Sequence, residues 1–516
     1  MKGFIKYTFA AVVLLCGSVS CLDKEPSSSI PEGDAMQTFN DAEQHVNGIY
    51  ATLKSAALHS GLLTLLPDIQ SDLVYAVEGN TNTYGSFWRW QIRSTDSEIE
   101  AVYGSLYAVI GNCNFYLDRI GRVMEKITDD DQLDMLELFT GEVYTIRALC
   151  YSELLKCYCK AYDPQTARTT PGVVLRTKYF EPEPVVRATL YDSYQLVLSD
   201  LAEAEARLSD DDGDNVASSP FMTLSAAHAL HARVALYMQD WDEAIKYASK
   251  PIARTKCYEL ASVKSAAPDG ASWFDYMWAY DASYEIIWRI GFSATSYGGA
   301  LGQVFLHFTT DYTYFYPDYV PAASVLNAFE SGDARDDGYF ADRNDGIVIG
   351  YSHGLDWPLL VKYYGNRELI NNYYIYHVSM PKPLRLAEQY LIRAEAYCRK
   401  KEWSKATADL LTLRNARFVS GGNISVNENN WLRTIADERM KELYMEGFRL
   451  HDLKRWGEEY AAINGGYSIS RTPQSHSQAE GSSLKVKADD PLFVWPIPQH
   501  EIEAPGSDLE PNESNK

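Results

Sequence analysis

Two segments far apart in the chain carry the same helical pattern, and this repeat constrains the fold more than any other feature. Ala227, Leu230, His231, Val234, Tyr237 and Met238 correspond to Ala387, Tyr390, Leu391, Ala394, Tyr397 and Cys398 at a constant offset of 160. Both sets recur at the three- and four-residue steps that mark one face of a helix. A short polar turn follows each, and then a second helix, opened by Asp240-Trp241-Asp-Glu-Ala244 and by Glu402-Trp403-Ser-Lys-Ala406. A helix pair of this kind cannot bury its apolar stripe alone. It must stack on further helices.

Small residues at the crossing, a Tyr late in the first helix and an aromatic-to-Ala step in the second resemble a tetratricopeptide hairpin. Other segments share the period: Ala42, Val46, Ile49, Tyr50 and Leu53; Leu106, Ile110, Cys113, Leu117 and Ile120; Ala148, Tyr151, Leu155 and Tyr158. The copies are not consecutive, so this is no plain solenoid. The pattern predicts a mostly α fold, a tetratricopeptide-like hairpin scaffold over 36–60, 96–251 and 383–460, within a single domain spanning 36–516. Long insertions at 61–95 and 256–382 show weak helical periodicity and are rich in Gly, Asn, Asp, Tyr and Trp. They read as irregular loops with a few short strands, at 285–290 and 346–350, and 461–516 reads as an irregular C-terminal segment. Long insertions in a compact chain tend to carry function.

The N-terminus reads as an export signal over 1–20. Lys2 and Lys6 precede the apolar run from Phe9 to Cys16, and small residues lead to Cys21. The run is too short to span a bilayer. Ser20 before Cys21 resembles a bacterial lipoprotein signal, although Ser18 stands where Leu is usual. Cys21 is therefore the expected lipid attachment site, and the polar stretch over 21–35 reads as a tether. The remaining cysteines, Cys113, Cys150, Cys157, Cys159, Cys257 and Cys398, form no C-x-x-C pair and read as buried thiols.

Charge excludes one class of partner. With 47 Lys and Arg against 70 Asp and Glu, the net charge is −23. Phosphate-backbone binding needs the opposite balance, so no nucleic-acid partner is expected. No H-E-x-x-H, G-x-S-x-G or P-loop motif occurs, and the chain reads as a non-enzyme. His228 and His231 read as packing residues. Glu442, Glu446, Arg449 and Asp452 fall at helical spacing and read as scaffold ion pairs. No cofactor is expected, although the acidic loops at 210–214 and 333–345 have the residue types a structural calcium takes.

The aromatic content is high: 37 Tyr, 18 Phe and 11 Trp. Much of it lies in the insertions. Tyr84, Trp88 and Trp90 stand beside Asn80, Asn82 and Arg89. Trp273, Tyr276, Trp278 and Tyr280 form a second group, and Tyr312, Tyr314, Phe315, Tyr316 and Tyr319 a third. A flat ring can bury the C–H face of a sugar while amides and charges bond its hydroxyls.

Across nearly its whole length the chain resembles the SusD/RagB family of outer-membrane lipoproteins. Arg147-Ala-Leu-Cys-Tyr-Ser-Glu-Leu-Leu-Lys-Cys-Tyr158 is similar to the family's R-A-x-x-Y-x-x-L-x-x-x-Y helix. The segments Leu391-Ile-Arg-Ala-Glu-Ala-Tyr397, Glu438 to Gly457 and Pro496-Ile-Pro-Gln-His-Glu-Ile502 carry the rest. The resemblance implies a lipid-anchored, surface-exposed outer-membrane protein that binds nutrient and hands it to a SusC-like TonB-dependent transporter. Its ligand would be an oligosaccharide or, in the RagB branch, a peptide. By position, the ligand residues would be Asn80, Asn82, Tyr84, Trp88, Arg89, Trp90, Trp273, Trp278, Tyr314 and Tyr316. Asp72 and Tyr297 lie in segments that look like the peptide-binding branch. Stacking chemistry places glycan ahead of peptide, and a surface glycoside hydrolase third, since neither aromatic loop holds a spaced carboxylate pair.

Overall fold

The computed structural model describes residues 35–180, 185–209, 217–307, 315–341, 357–478 and 480–516. The signal, Cys21, most of the tether, the 210–214 loop, Tyr314 and the 346–350 stretch lie outside these residues. Among the described residues are 17 α-helices and eight short strands, so the fold is mostly helical, in line with the periodicity.

Helix α1 (Phe39–Leu53) starts where Thr38 and Asp41 satisfy each other's backbone N–H, and it buries Ala42, Val46, Ile49 and Leu53. The first insertion holds α2 (Leu62–Ile69) and α3 (Gly85–Trp88). Then come α4 (Ser97–Met124), α5 (Asp130–Tyr158), α6 (Leu190–Arg207), α7 (Leu224–Tyr237) and α8 (Trp241–Ala253). The second insertion contributes α9 (Trp273–Tyr280), α10 (Ala323–Leu326), α11 (Ala334–Tyr339) and α12 (Arg367–Tyr373). The scaffold resumes with α13 (Leu386–Arg399), α14 (Trp403–Arg417), α15 (Trp431–Glu442) and α16 (Arg449–Ile463), and α17 (Gln499–Glu503) lies near the end. From α4 to α14 each scaffold helix packs on the next, α15 lies against α13 and α16, and α8 lies against α13, which joins the two repeated hairpins.

The structure corrects the repeat by two residues. Leu224 and Leu386 open the first helices, and Trp241 and Trp403 the second, so the structural offset is 162. In this register buried residues match buried residues: Ala229 with Leu391, Leu230 with Ile392, Ala232 with Ala394. His231 does not stand where Leu391 does. Its ring instead stacks on Tyr247 with centroids 3.5 Å apart.

The insertions are also more ordered than their periodicity suggests. Helix α2 is buried almost all round, at Leu63, Leu65, Leu66 and Ile69, and such a helix shows no apolar stripe to read. Strand β1 (Val74–Ala76) of the first insertion pairs antiparallel with β3 (Tyr319–Pro321) of the second, with Tyr75 opposite Val320. Strand β2 (Ile286–Trp288), in the predicted 285–290 stretch, pairs with β6 (Leu384–Arg385). Strands β4 (Phe340–Ala341) and β5 (Leu359–Leu360) form a further pair, as do β7 (Ile469–Arg471) and β8 (Leu484–Val486).

Buried charge ties insertion to scaffold. At the end of α15, Glu442 accepts from Arg417 at 2.8 and 3.0 Å, from Arg385 at 3.0 Å and from Arg335 at 3.3 Å. Glu285 accepts from Arg385 at 2.5 Å and from Arg417 at 2.8 Å. Glu438 takes Arg335 and Arg414, and Glu446 takes Arg385 and Lys362. The expected ion pairs along one helix face are therefore corrected: the helix ends at Glu442, and the partners come from other segments. Arg449 pairs with Asp72, and Asp452 with Arg439 and Arg455. Asp333 is corrected likewise. It is buried and paired with Arg335 at 2.7 Å, so it offers nothing to calcium. Among the described residues no group of three His, Cys, Asp or Glu is arranged to hold a metal. The six cysteines of the described residues are all buried free thiols.

Truncating one partner leaves the others buried and unmatched, so Arg417→Ala should lower the unfolding free energy by about 3–5 kcal/mol in denaturant titration. The network also sets an acid limit. Burial alone would raise the Glu438 carboxyl, but Arg335, Lys441 and Arg414 outweigh it and hold it at about 2. An unfolded Glu titrates near ~4.3. The stability from Glu438 is therefore complete above that value and is lost as pH falls toward about 2, which an acid titration of the thermal midpoint would detect.

Candidate functional site

Helix α9 presents two different faces. Ser272 caps it, accepting from the Asp275 N–H at 3.1 Å and donating to the Asp275 carboxylate at 2.6 Å. Phe274, Met277 and Trp278 turn inward and are buried. Trp273, Tyr276 and Tyr280, spaced three and four apart, lie along the other side. Tyr276 stacks on Tyr280 at 4.5 Å, Trp273 meets Tyr276 edge-on at 5.4 Å, and Tyr284 extends the row at 5.3 Å from Trp273.

Beside this row lies a cleft of about 760 Å³, between α9, α12 and the α11–β4 segment. Its polar lining includes Asp275, Asp337, Arg367 and Asn371, and its aromatic lining includes Tyr280 and Tyr364. Gly338 lets the two sides come close, since a Cβ there would lie 2.8 Å from the Phe274 ring. Asn366 caps α12 by accepting from the Glu368 N–H at 2.9 Å, and this sets Arg367 with its guanidinium 5.8 Å from the Tyr280 ring centre. Lys362 closes the floor. Its ammonium donates to the Tyr444 carbonyl and to Glu446, each at 2.7 Å, and lies 4.2 Å from the Trp278 ring. Burial pulls this lysine down to about 8, against the pull of Glu446. Burial and the neighbouring Asp337 and Asp333 push the Asp336 carboxyl up.

The rim is open and aromatic. Tyr364 and Tyr373 are exposed, and Tyr374 is 78% exposed at a left-handed φ of 58°, a conformation that bulky residues rarely adopt. The Tyr364 ring lies 6.5 Å from Phe315, and the chain leads on through exposed Tyr316 to Asp318. Asp318 accepts from the Thr81 backbone at 2.6 Å and from its hydroxyl at 2.8 Å. The 80–91 loop is therefore braced on the same segment. Within it, Asn80 accepts from the Asn82 N–H at 2.7 Å and Arg89 donates to the Asn82 side chain at 2.7 Å.

The structure corrects several expected ligand residues. Trp88 is 1% exposed, donates from its indole to the Val74 carbonyl at 3.2 Å and lies under Arg471. Trp90 donates to the Gln70 carbonyl at 2.7 Å and packs on Phe493, and Trp278 is buried among Tyr339, Tyr363 and Lys362. Trp88 and Trp90 fill the core and present no open face, whereas Trp278, though 6% exposed, lines the cleft beside Lys362. Asp72 is spent on Arg449, with both oxygens at 2.9 Å. Tyr297 is exposed, but its neighbours Ser296 and Gly298 meet the end of α1 at Lys54, so it stands with the scaffold. Asn80, Asn82, Tyr84 and Arg89 stay together in the loop. Trp273 lies half-exposed in the α9 row and Tyr316 is open near the rim.

Tyr364, Arg367, Asn371, Tyr373 and Tyr374 are the residues the sequence reading missed. The run from Asn366 to Tyr374 combines amides, Arg and Tyr much as the run from Asn80 to Trp90 does, and that composition was the available signal. Because Trp88 supports core, Trp88→Ala should cost about 3–5 kcal/mol in equilibrium unfolding.

Comparison with known proteins adds a family to this geometry. The sequence pattern described as "SusD family" matches residues 285–512, and that described as "Starch-binding associating with outer membrane" matches residues 21–236. Two SusD-like proteins of Formosa agariphila are 25% and 23% identical to the chain; the alignments cover 89% of it in both cases, and 90% and 93% of the relatives. Among solved structures, a SusD superfamily protein from Bacteroides thetaiotaomicron superposes with a TM-score of 0.75 at 21% identity, covering 92% of this chain and 99% of that one. A SusD-like carbohydrate binding protein from Bacteroides vulgatus gives 0.72 at 18% identity, covering 91% and 97%. The fold is shared with both.

Proposed function

Because the chain belongs to the SusD/RagB family, we propose that it is a non-catalytic binding protein that captures oligosaccharides at the α9–α12 cleft and delivers them to a SusC-like TonB-dependent transporter. The observation that carries the ligand class is the row of rings, half-exposed Trp273, Tyr276 and Tyr280 and exposed Tyr284, running beside a cleft lined with Asp337, Arg367 and Asn371. Each ring can cover one sugar face. Burying ~50–80 Å² in this way is worth about 1–2 kcal/mol, so useful affinity needs several subsites in line. Amide, carboxylate and guanidinium groups at the wall then take the hydroxyls that ring the sugar. The carbohydrate-binding relative from Bacteroides vulgatus supports the same reading.

The outer membrane is the proposed location, with Cys21 as the lipid attachment point. No helix of the described residues is long and apolar enough to cross a membrane. A Cys21→Ala variant should therefore move from the membrane pellet to the soluble fraction when produced without its transporter. Retention in the pellet would contradict the anchor.

Calorimetry against polysaccharide fragments and oligopeptides tests the ligand. Glycan binding should weaken about 10-fold, near 1.4 kcal/mol, in Tyr364→Ala, with the thermal midpoint almost unchanged because that ring is exposed. Binding of oligopeptides with no glycan bound would overturn the reading in favour of a peptide importer.

A further inference from the structure

The residue that ends α9 breaks two local rules at once. Asp281 follows Tyr280 at a left-handed φ of 54°, a conformation uncommon outside glycine that Asp and Asn tolerate best. It also brings a carboxylate to the end of a helix, where the last carbonyls already carry partial negative charge. Both costs fall on one buried position. Strain of this kind persists where the surrounding structure has a use for it.

What Asp281 holds is the far wall of the aromatic cleft. The residue is fully buried, and its carboxylate accepts three hydrogen bonds, none from its own helix. Oδ2 accepts from the Asn366 amide at 2.8 Å and from the Met380 N–H at 3.0 Å, and Oδ1 accepts from the Lys382 ammonium at 2.5 Å. Lys382 is itself buried, so its charge and that of Asp281 match each other out of water. Asn366 is the residue that caps α12. Its side-chain oxygen accepts from the Glu368 N–H while its nitrogen donates to Asp281, so one amide both starts α12 and ties it to α9. The Asn366 N–H also donates to the Val378 carbonyl at 2.9 Å, which joins the start of α12 to the chain leading to Met380 and Lys382. Packing adds little here, because α12 is seven residues long and Leu369 is its one buried residue. The place of α12 beside α9 depends on these bonds more than on a core.

We propose that Asp281 is a positioning residue that fixes the aperture between the α9 row and the α12 rim, and that this aperture selects oligosaccharides long enough to touch both walls. The proposal rests on the reading of the cleft as a glycan site and adds chain length to it. Tyr276 and Tyr280 stand on one wall, Tyr364 and Tyr373 on the other. Two surfaces held at a set span act as one bivalent site. A ligand that reaches both meets the second at high effective concentration, and it loses that contact when the span is not held. A disaccharide lying on α9 alone is indifferent to where α12 stands.

Asp281→Ala would strand Lys382 and mix folding with positioning. Asn366→Ser is the sharper change: serine still caps α12 but has no amide to reach Asp281, and the Asp281–Lys382 pair is untouched. The first measurement uses no sugar. Spin labels at Tyr276→Cys and Tyr373→Cys, in the mature chain carrying Cys21→Ala, read the distance between the walls, since the six other cysteines are buried. One narrow distance is expected, and Asn366→Ser should shift or broaden it. An unaltered distribution overturns the positioning role. The second measurement is calorimetry with maltose and maltoheptaose, two lengths of one glucan, on chains with both tyrosines in place. Asn366→Ser should weaken maltoheptaose about 10-fold and leave maltose within about 2-fold. An equal loss for both sugars would mark a merely structural effect, and an unaltered maltoheptaose affinity beside an altered distance would show that the aperture selects nothing. Either result overturns the proposal. A wild type that binds neither sugar overturns the chain-length selection, whereas the distances, read without sugar, decide the role of Asp281 independently of what the cleft binds.

Discussion

Glu285 and Glu442 lie side by side in the interior, with the guanidinium groups of Arg385 and Arg417 between them. Charges taken out of water are costly unless each is matched, and here the matching partners come from widely separated parts of the chain. Arg335 and Lys362 belong to the second insertion, Arg385 leads into α13, Arg417 ends α14, and Glu438, Glu442 and Glu446 follow one another along and beyond α15. No member can leave without stranding the others. The network therefore gives the long insertion a single register on the scaffold, something its short strands could not do alone. Hydrophobic burial supplies most of the driving force to collapse. The charges decide which arrangement the collapsed chain adopts.

That arrangement has a direct consequence for the candidate cleft. Lys362, which closes the cleft floor, is also a member of the network through Glu446, and Trp278 lies under Lys362 and beside Arg385. The inward face of α9 is thus fixed by core packing and cation–π contact. Its outward face, with Tyr276 and Tyr280, is held at a set angle beside α12. Rings on a rigid support lose little freedom when a ligand stacks on them, which is what a modest stacking surface needs to be useful.

Much of this was legible in the residues, and the exceptions have physical causes. Ala42, Val46, Ile49 and Leu53 predicted α1 because a half-buried helix must alternate its faces. Leu63 to Ile69 gave no such signal because α2 is enclosed on all sides. The repeat was visible, but small residues occupy so many positions of both hairpins that two registers look alike, and only burial separates 160 from 162. Glu442 and Arg449 were rightly read as structural. Their partners were not, since helical spacing reports neighbours along a helix and not across the core. Aromatic residues were the hardest. Trp88, Trp90, Trp273 and Trp278 look equivalent in sequence, yet three are buried and one lines the open row. Tyr364 and Tyr374 sit in a run that seemed ordinary. Exposure of a ring depends on what packs over it, and that information lies in distant segments.

The central claim is that the α9 row and the α12 rim form one ligand surface on a fixed scaffold. Hydrogen–deuterium exchange with and without a bound oligosaccharide tests it most directly. Slower exchange confined to residues 273–284 and 364–376, with α7 and α8 unchanged, is the predicted result. Protection centred on the α7–α8 hairpin, with none at the rim, would contradict it.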